Sequence, residues 1–569
     1  MHADANVEPA PIAPGAGRTF VVAAGHELAA EAGARVYERT GNAADAAVAA
    51  TVALGVLEPH RFGLGGEVTG LVHMRGRSRV LAGSTVAPEA MTLDAFRRLG
   101  LDLIPDEGLL PAGPPAVLHA LVVLLRDLGS TTFSVAAEPA IALAADGFPI
   151  DGTLARAIGE REDRFRGSWP ETAAVWMPDG RPPRPGTVIR QPALAETLLR
   201  LGGAGGHEPV LHELRAGFVA EAILRFASEP HAAPAGTHRS LLETEDLASF
   251  AVGWEPPLAW TDERGRTILK AGPWTQGPAL LQHLAIMRAG GWTDRSPLSD
   301  DLLHALVESF KLAMADREGY YGDERFIDVP LAELLSPGYA TRRARLVGDA
   351  ASNPEPGRPR PDLPPWIGAT GSSPGHVGDT THVDVADRSG DLIALTPSGG
   401  WFDAPVIPEL GFPLGTRCQT FWLDPLHPNV VAPGKRPRTT LSPTLVMRGD
   451  RAEFALGTPG GDAQDQVQGQ MLHALHHGWP VEEVVDMPLV VSTHAPSSFY
   501  PHGSTTMGVD VESRLGTEVI RSLADRGHRV EVLGPWHQEV RPQVIGVGAD
   551  GLMRASVSRR FGTGGVVAT

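Results

Sequence analysis

The stretch THVDVADRSGDLIAL, residues 381–395, limits the fold of this chain most, because polar and apolar residues alternate on both sides of a turn. A two-residue period is typical of strands with one face against a core, and Ser389-Gly390 supplies the turn of a hairpin. The segment 441–461 repeats this pattern, and 466–486 predicts a helix, a turn at Gly478 and a second helical segment. Strands with helices on either side indicate a layered α/β sandwich.

Helical patterns dominate the first two-thirds of the chain. An Ala-rich run from residue 43 predicts a buried helix that ends near Pro59, and 62–76 predicts a glycine turn that enters a short strand. Helical periodicity returns over 114–145 and over 301–323. Residues 353–379 are dense in Pro, Gly and Ser, which is typical of an irregular, exposed segment. We therefore expect a first half of the chain to end at residue 379.

Length, charge and cysteine content exclude several classes of protein. The 569 residues allow roughly three to four domains of average size, or one large α/β core. A net charge of −18 repels phosphate, which argues against a nucleic-acid or anionic-membrane partner. The single cysteine, Cys418, excludes an intramolecular disulfide and a cysteine-rich metal site. Without a secretion signal or an apolar run of about 18 residues, we expect a cytoplasmic protein with no membrane span.

Two patterns suggest metal or phosphate binding but lack a necessary partner. His473, His476 and His477 have helical spacing, yet no acid stands in an H-E-x-x-H arrangement, and Gly478-Trp479-Pro480 ends the helix. The loop FGLGGE, 62–67, is followed by no P-loop lysine, so a tight turn beside a packed helix is the favoured interpretation. We expect no metal and no organic cofactor.

Thr380 and Thr381 precede the first hairpin strand, where threonine usually reflects β-propensity alone. A threonine hydroxyl becomes a useful nucleophile when the chain is cut before it, because the freed α-amine then acts as its base. Asp379 ends the exposed segment, where the backbone is accessible to scission. Downstream, Gly460-Gly461 offers two unhindered N–H groups after a strand, as an oxyanion hole requires, although the pair also suits a helix-entry turn.

Several ordered blocks of the chain resemble the γ-glutamyltranspeptidase family of N-terminal-nucleophile hydrolases. TGNAADAAVAATVALGVLEPHRFGLGGE, 40–67, resembles the early helix and glycine loop of that family, and ESFKLAMADREGYYGD, 308–323, fits its large-subunit pattern. GDTTHVDVADRSGDLIALT, PGKRPRTTLSPTLV and GTPGGDAQ then follow in family order. The resemblance implies a four-layer αββα sandwich made by both halves of the chain.

The resemblance also assigns roles to residues by position. Thr380 is the expected nucleophile, and self-cleavage of the Asp379–Thr380 bond would give a large subunit, 1–379, and a small subunit, 380–569. Ser398 matches a hydroxyl near the nucleophile's amine. Gly460 and Gly461 match the family's oxyanion-hole pair. Thr439 and Thr440 match two hydroxyl residues that contact the substrate carboxylate. The expected partners are the two subunits of one precursor, assembled as a homodimer of heterodimers.

The residues that hold a γ-glutamyl group in this family are missing here. Ser84 stands where the family has an arginine, Gly400 where it has an asparagine, and Thr420 where it has an acid for the α-ammonium. An unmatched ammonium and carboxylate in such a site would cost several kcal/mol of binding. We therefore expect a small-molecule substrate that carries a carboxylate but is not γ-glutamyl.

Other residues in this region suggest what replaces the γ-glutamyl group. Arg417 can pair bidentately with a carboxylate, or it is simply a surface charge. Trp401 and Phe402 can line a pocket for an aromatic or heterocyclic group, and ordinary core packing is the alternative for Trp401. Relatives without the glutamate anchors include oxamate-type amidohydrolases and biosynthetic members that cleave a carbon–carbon bond, removing a short acidic acyl unit from a pyrroline intermediate. The expected function is acyl transfer in specialised metabolism. A γ-glutamyl hydrolase or transpeptidase acting on glutathione-like substrates and an inactive binding or scaffold protein are the alternatives.

Overall fold

The computed structural model describes residues 8–368, 379–536 and 539–569. Two seven-stranded sheets form its centre, and every strand pair within them is antiparallel. The first sheet contains, in spatial order, Gly565–Ala568, Phe20–Ala24, Val383–Asp387, Leu392–Ser398, Glu67–Met74, Arg77–Gly83 and Gly253–Glu255. The second sheet contains, also in spatial order, Gly15–Gly17, Met553–Val557, Gln543–Val547, Arg451–Gly457, Thr444–Arg448, Arg266–Lys270 and Leu258–Thr261.

The two sheets pack face to face, and helices cover their outer faces. Apolar residues of both sheets, among them Val21, Leu71, Leu445 and Ile545, meet in one buried cluster between the sheets. The helices against the first sheet are Glu27–Thr40, Ala43–Leu57, Val117–Leu128 and Phe133–Asp146. Those on the side of the second sheet are Gly277–Gly290, Asp300–Tyr320, Gln464–His476 and Val481–Asp486. This order of layers confirms the predicted αββα sandwich.

Shorter elements surround the four layers. The remaining α-helices are Leu93–Arg98, Gly152–Glu160, Glu162–Ser168, Pro170–Trp176, Pro192–Gly203, His207–Arg215, Phe218–Ala227, Thr244–Ala248, Leu331–Leu334, Pro337–Ala344 and Thr517–Asp525. Short 3₁₀ helices span Arg417–Thr420, Gly461–Ala463, Ser513–Leu515 and Arg559–Phe561. A three-stranded sheet contains Val490–Ser492, Gly508–Glu512 and Arg529–Leu533, and two-stranded pairs join Phe148–Pro149 to Val188–Ile189, His231–Ala233 to Gly236–His238, and Val406–Ile407 to Phe412–Pro413. No helix within these described ranges is both long and apolar enough to cross a membrane.

The predicted elements occur where the sequence patterns place them. All of Ala43–Leu57 is buried, and the Asn42 side chain caps this helix by accepting hydrogen bonds from the amides of Ala44 and Asp45. Both hairpins and the helical pair over 466–486 are confirmed. The helix predicted over 301–323 begins at Asp300 and ends three residues early, at Tyr320. Residues 353–368 contain no helix or strand, and 369–378 lie outside the described residues.

Strands from both sides of the Asp379–Thr380 bond are interleaved in each sheet. In the first sheet, Phe20–Ala24 pairs with Val383–Asp387, and Glu67–Met74 pairs with Leu392–Ser398. In the second sheet, Arg266–Lys270 pairs with Thr444–Arg448. A break before Thr380 would therefore leave the two pieces joined by ladder hydrogen bonds and by the shared core.

Candidate active site

Thr380 lies at the entrance of the central hairpin of the first sheet and is fully buried. It forms an isolated antiparallel bridge with Ser398, and the Thr381 amide donates to the Pro397 carbonyl at 3.1 Å. The register of the hairpin therefore brings Ser398 opposite Thr380. Their side chains meet, and the Thr380 hydroxyl donates to Ser398 Oγ at 3.2 Å.

The Ser398 hydroxyl also contacts the peptide bond that precedes Thr380. It donates to the Asp379 carbonyl oxygen at 2.8 Å, while Arg417 Nη2 donates to Ser398 Oγ at 2.9 Å. Ser398 thus accepts from the hydroxyl of Thr380 and donates to the carbonyl that this hydroxyl would attack. A donor fixed on that oxygen polarises the carbonyl and stabilises an oxyanion formed there.

Replacing Ser398 by alanine should slow scission of the Asp379–Thr380 bond by about 10²–10³-fold, the loss typical of one oxyanion donor. The rate is measured from the masses of the intact chain and its pieces during incubation of freshly purified protein. Ser398→Thr keeps the hydroxyl and should remain within about tenfold of the unmodified chain. Scission of Ser398→Ala at the unmodified rate would contradict this role.

Arg417 is buried rather than exposed, and Glu67 balances its charge. Arg417 Nε lies 2.6 Å from Glu67 Oε1, which also accepts a hydrogen bond from the Thr439 hydroxyl at 3.0 Å. Glu67 Oε2 accepts from the Ser84 hydroxyl and the Thr85 amide, both at 3.3 Å. Ser84 and Thr439, predicted to bind substrate, thus contact Glu67. Sequence reasoning missed Glu67, although an acid directly after a glycine loop and before an apolar strand is an available signal.

Besides Arg417 Nε, whose contact with Glu67 is an ion pair, three buried donors of Arg417, Trp401 and Thr440 have no hydrogen-bond partner among the described residues. They are Arg417 Nη1, Trp401 Nε1 and the hydroxyl of Thr440, which follows the Glu67-bound Thr439. The Arg417 guanidinium lies 5.4 Å from the centre of the Trp401 ring and 5.3 Å from that of Phe499. Because a buried donor without an acceptor is costly, these groups suit a ligand that brings oxygen atoms.

The predicted substrate-facing role of Phe402 is wrong. Its side chain belongs to the core under the first sheet, where its ring lies 5.4 Å from the rings of Phe165 and Trp176. Gly400 has φ 64°, and a Cβ added there would lie 2.8 Å from the Gly66 amide nitrogen. Close backbone packing against the glycine loop therefore disfavours the family's asparagine at position 400.

The glycine loop at 63–66 is filled by backbone. The Gly63 amide donates to the Gly399 carbonyl and the Gly415 amide to the Gly65 carbonyl, and a Cβ at Gly63 would lie 2.0 Å from the Gly400 oxygen. The interpretation as a tight turn is confirmed, because no space for a phosphate remains against these atoms.

Gly460 and Gly461 present amides beside a cavity of about 660 Å³. Both residues have positive φ, and among the described residues neither N–H donates to a backbone carbonyl or a side chain. Phe499, which packs on Arg417, lines the same cavity. The Arg541 amide donates to Thr458 Oγ1 at the start of this turn, and its guanidinium donates to Thr381 Oγ1. Arg541 therefore ties the Gly460 turn to the strand entrance that carries the nucleophile.

A second buried ion-pair network flanks the scissile bond. Arg61 Nη1 lies 2.8 Å from both carboxylate oxygens of Asp379, and its Nε lies 3.7 Å from Glu58. Glu58 accepts hydrogen bonds from Arg541 at 2.8 and 3.1 Å and from Thr381 at 2.6 Å. Burial alone raises the pKa of the Glu58 carboxyl, but Arg541 and Arg61 outweigh burial and hold that pKa below its ordinary value.

The histidines with helical spacing form no metal cluster within the described ranges. His473 and His477 instead contact the backbone carbonyls of Arg295 and Thr293. The one group of three potential ligands there is His304, Glu308 and His528. Within this group, Glu308 already forms an ion pair with Lys311 at 2.5 Å. The charge of Lys311 disfavours the binding of a metal cation at the same carboxylate.

Comparison with known proteins identifies relatives that match nearly the whole chain. The family model described as Gamma-glutamyltranspeptidase matches residues 29–566. An oxamate amidohydrolase proenzyme from Klebsiella pneumoniae is 30% identical over 527 residues, which cover 90% of this chain and 91% of that protein. The solved structure of LmbA2991HD has a TM-score of 0.92 and 38% identity, covering 99% of this chain and 100% of the other.

A second solved structure, cephalosporin acylase from Bacillus halodurans, has a TM-score of 0.87 and 27% identity, covering 100% of this chain and 99% of that one. These relatives share the sandwich and include hydrolases and acylases. This chain belongs to the gamma-glutamyltranspeptidase family and is an enzyme with hydrolase or acyltransferase activity.

Proposed function

We propose that this chain is a self-processing threonine hydrolase that transfers an acyl group from a small, carboxylate-bearing, non-γ-glutamyl substrate to Thr380 and then to water. The observation that carries the proposal is the position of the Ser398 hydroxyl between Thr380 Oγ1 and the Asp379 carbonyl. One hydroxyl thus joins the attacking atom to the oxygen on which charge develops.

Self-processing begins when Thr380 Oγ1 attacks the Asp379 carbonyl carbon. Negative charge develops on the carbonyl oxygen, which Ser398 stabilises. The carbon–nitrogen bond then breaks, the nitrogen keeps the proton lost by the hydroxyl, and Asp379 remains as an ester on Oγ1. Water hydrolyses that ester, which leaves a carboxylate on Asp379 and a free α-amine on Thr380.

The mature enzyme uses the same nucleophile on its substrate. The α-amine of Thr380, whose unperturbed pKa is about 7.7–8.0, takes the hydroxyl proton near neutral pH. The Gly460 and Gly461 amides donate to the substrate oxyanion. An amide and a β-dicarbonyl-type carbon–carbon bond both pass through such an oxyanion, so the mechanism serves either bond, including release of a short acidic acyl unit from a pyrroline intermediate.

The charges and unpaired donors of the site support a substrate other than a γ-glutamyl compound. The charge of Arg417 is balanced by Glu67, and Ser84 supplies no cation. The unpartnered donors of Trp401, Thr440 and Arg417 favour oxygen atoms rather than an α-ammonium. Two relatives are described as acting on oxamate and on cephalosporins, so members of this family accept acyl donors of other kinds.

The test compares chromogenic anilides on protein whose Thr380 amine has been verified by mass. We expect the γ-glutamyl anilide to react at least about 100-fold more slowly, in kcat/KM, than an anilide of a short dicarboxylic acid. An unpaired α-ammonium costing about 2.7 kcal/mol would produce that ratio. Rapid turnover of the γ-glutamyl anilide would contradict the proposal and favour a glutathione-type hydrolase.

A further inference from the structure

The Arg61 guanidinium is held by Asp379, the residue that self-processing separates from the nucleophile. The Arg61 side chain is 4% exposed, and its closest charged partner is the Asp379 carboxylate, with both oxygens at 2.8 Å from Nη1. The Phe561 ring covers another side of the guanidinium, 3.9 Å from its central carbon. Asp379 is one residue from Thr380, so this pair lies directly beside the scissile bond.

The surrounding charges balance only while Asp379 is in place. Arg61 and Arg541 provide two positive charges, and Glu58 and Asp379 provide two negative ones. Glu58 is engaged by Arg541 and Thr381 at hydrogen-bond distance, whereas it lies 3.7 Å from Arg61. When the new chain end carries Asp379 away, the buried Arg61 guanidinium keeps one net positive charge at a position where the Asp379 side chain was 33% exposed, and this charge is costly unless another anion enters.

His60, next to Arg61, adds no negative charge and stays neutral. Burial, followed by the charges of Arg61 and Arg541, holds its pKa well below the ordinary value. His60 therefore does not offset the charge on Arg61, and the environment becomes positive once Asp379 has left, as a receptor for an anion should be.

The acyl group formed in self-processing has a defined shape. When Thr380 Oγ1 carries the Asp379 acyl group, the free carboxylate stands two carbons from the ester carbonyl, and Arg61 holds it. The same Oγ1 receives the acyl group of the substrate in the mature enzyme. A substrate acyl group of this length carries its carboxylate at the same separation from the reacting carbonyl as Asp379 does, so its length suits Arg61 as the partner of that carboxylate.

We propose that Asp379 is an internal mimic of the substrate, and that Arg61 binds the carboxylate of the acyl donor once Asp379 has been released. The preferred donor is a four-carbon, succinyl-type acyl group with its carboxylate two carbons from the reacting carbonyl. This inference rests on the proposed function and deepens it, because it assigns the carboxylate to Arg61 rather than to Arg417. Thr380 Oγ1 attacks the acyl carbon, the bond from that carbon to the leaving group breaks, and the leaving group takes the proton held by the Thr380 α-amine. Water then hydrolyses the succinyl ester, releasing succinate and regenerating the hydroxyl.

The first experiment compares succinyl and butyryl p-nitroanilides on mature protein, since butyryl has the same length but lacks the charge. We expect the unmodified enzyme to prefer the succinyl anilide by at least about 100-fold in kcat/KM. Arg61→Gln should reduce this ratio to within about threefold of unity, with both rates expressed per Thr380 amine. Arg225→Gln, which changes an exposed arginine paired with Glu409, should leave the ratio unchanged.

The outcomes separate this inference from the proposed function. An Arg61→Gln enzyme that keeps the succinyl preference overturns the role of Arg61 and leaves the proposed function standing. An unmodified enzyme that cleaves both anilides equally overturns the carboxylate-bearing substrate itself. A clear preference for malonyl or glutaryl over succinyl overturns the four-carbon length.

A second experiment avoids any dependence on scission or turnover. In the uncut Thr380→Ala, Asp379→Gly chain, the space of the Asp379 carboxymethyl group faces Arg61 and can take acetate. Acetate at 100 mM, compared with chloride at equal ionic strength, should raise the thermal midpoint of this variant by about 1 °C. Thr380→Ala alone and the triple variant with Arg61→Gln should not respond. An equal response in all three would overturn the inference.

Discussion

Thr380→Ala protein should remain a single chain of 60.1 kDa, and its hydrolytic activity should fall by at least about 10⁴-fold. Alanine removes the hydroxyl that attacks Asp379, so the α-amine that serves as the base is never released. One substitution thus removes both the nucleophile and the route to its base. Intact mass and anilide turnover measure the two losses on the same sample.

Thr380→Ser is the matched control for this change. It keeps a hydroxyl at the same place and should still be cut before residue 380, with activity reduced by much less than in the alanine variant. Residual turnover in Thr380→Ala above about one per cent of the unmodified enzyme would contradict the assignment of the nucleophile, whatever the state of the chain.

Arg541→Met should destabilise the folded protein by about 3–5 kcal/mol, the largest stability effect that we expect from a single ion-pair residue. Arg541 is completely buried and donates to Glu58, Thr381 and Thr563. Methionine fills a similar volume but leaves the Glu58 carboxylate without its main partner. The thermal midpoint, measured before and after scission, should fall by roughly 2–4 °C, because the unfolding entropy of a 569-residue chain is large.

Two controls separate the lost ion pair from other effects. Arg225→Met removes an exposed arginine and should change stability by less than about 0.5 kcal/mol. Adding Glu58→Gln to Arg541→Met should recover part of the loss, because the unpaired buried charge is then absent. The contradicting result is that Glu58→Gln lowers the stability of the Arg541→Met protein by as much as it lowers the stability of the unmodified protein. The lost Glu58–Arg541 ion pair would then not be the cause of the destabilisation.

Local patterns predicted most of the fold. The alternation on both sides of Ser389-Gly390 produced a hairpin because one face of each strand lies on the core, and the same register sets Ser398 opposite Thr380. The Ala-rich run produced a helix buried on all sides, with Asn42 as its cap. These features depend on residues close in sequence, which is why periodicity and turn residues reveal them.

Contacts between distant residues were not predictable in this way. Glu58 and Arg541 are 483 positions apart, and Glu67 and Thr439 are 372 positions apart, so no local pattern pairs them. Arg417 was singled out from the sequence as a partner for a carboxylate, but its charge partner Glu67 determines what the guanidinium can do, and that partner is distant in sequence. Phe402 was misassigned because an aromatic residue beside a glycine pair fits a core as well as a binding wall.

The central claim is that Thr380 becomes an N-terminal nucleophile, and intact mass of the denatured, freshly purified protein tests it most directly. We expect two species, one ending at Asp379 with 379 residues and one beginning at Thr380 with 190 residues, from 569 − 379 = 190. A single species of 60.1 kDa that persists on prolonged incubation would contradict the claim, because the α-amine of Thr380 would still be capped.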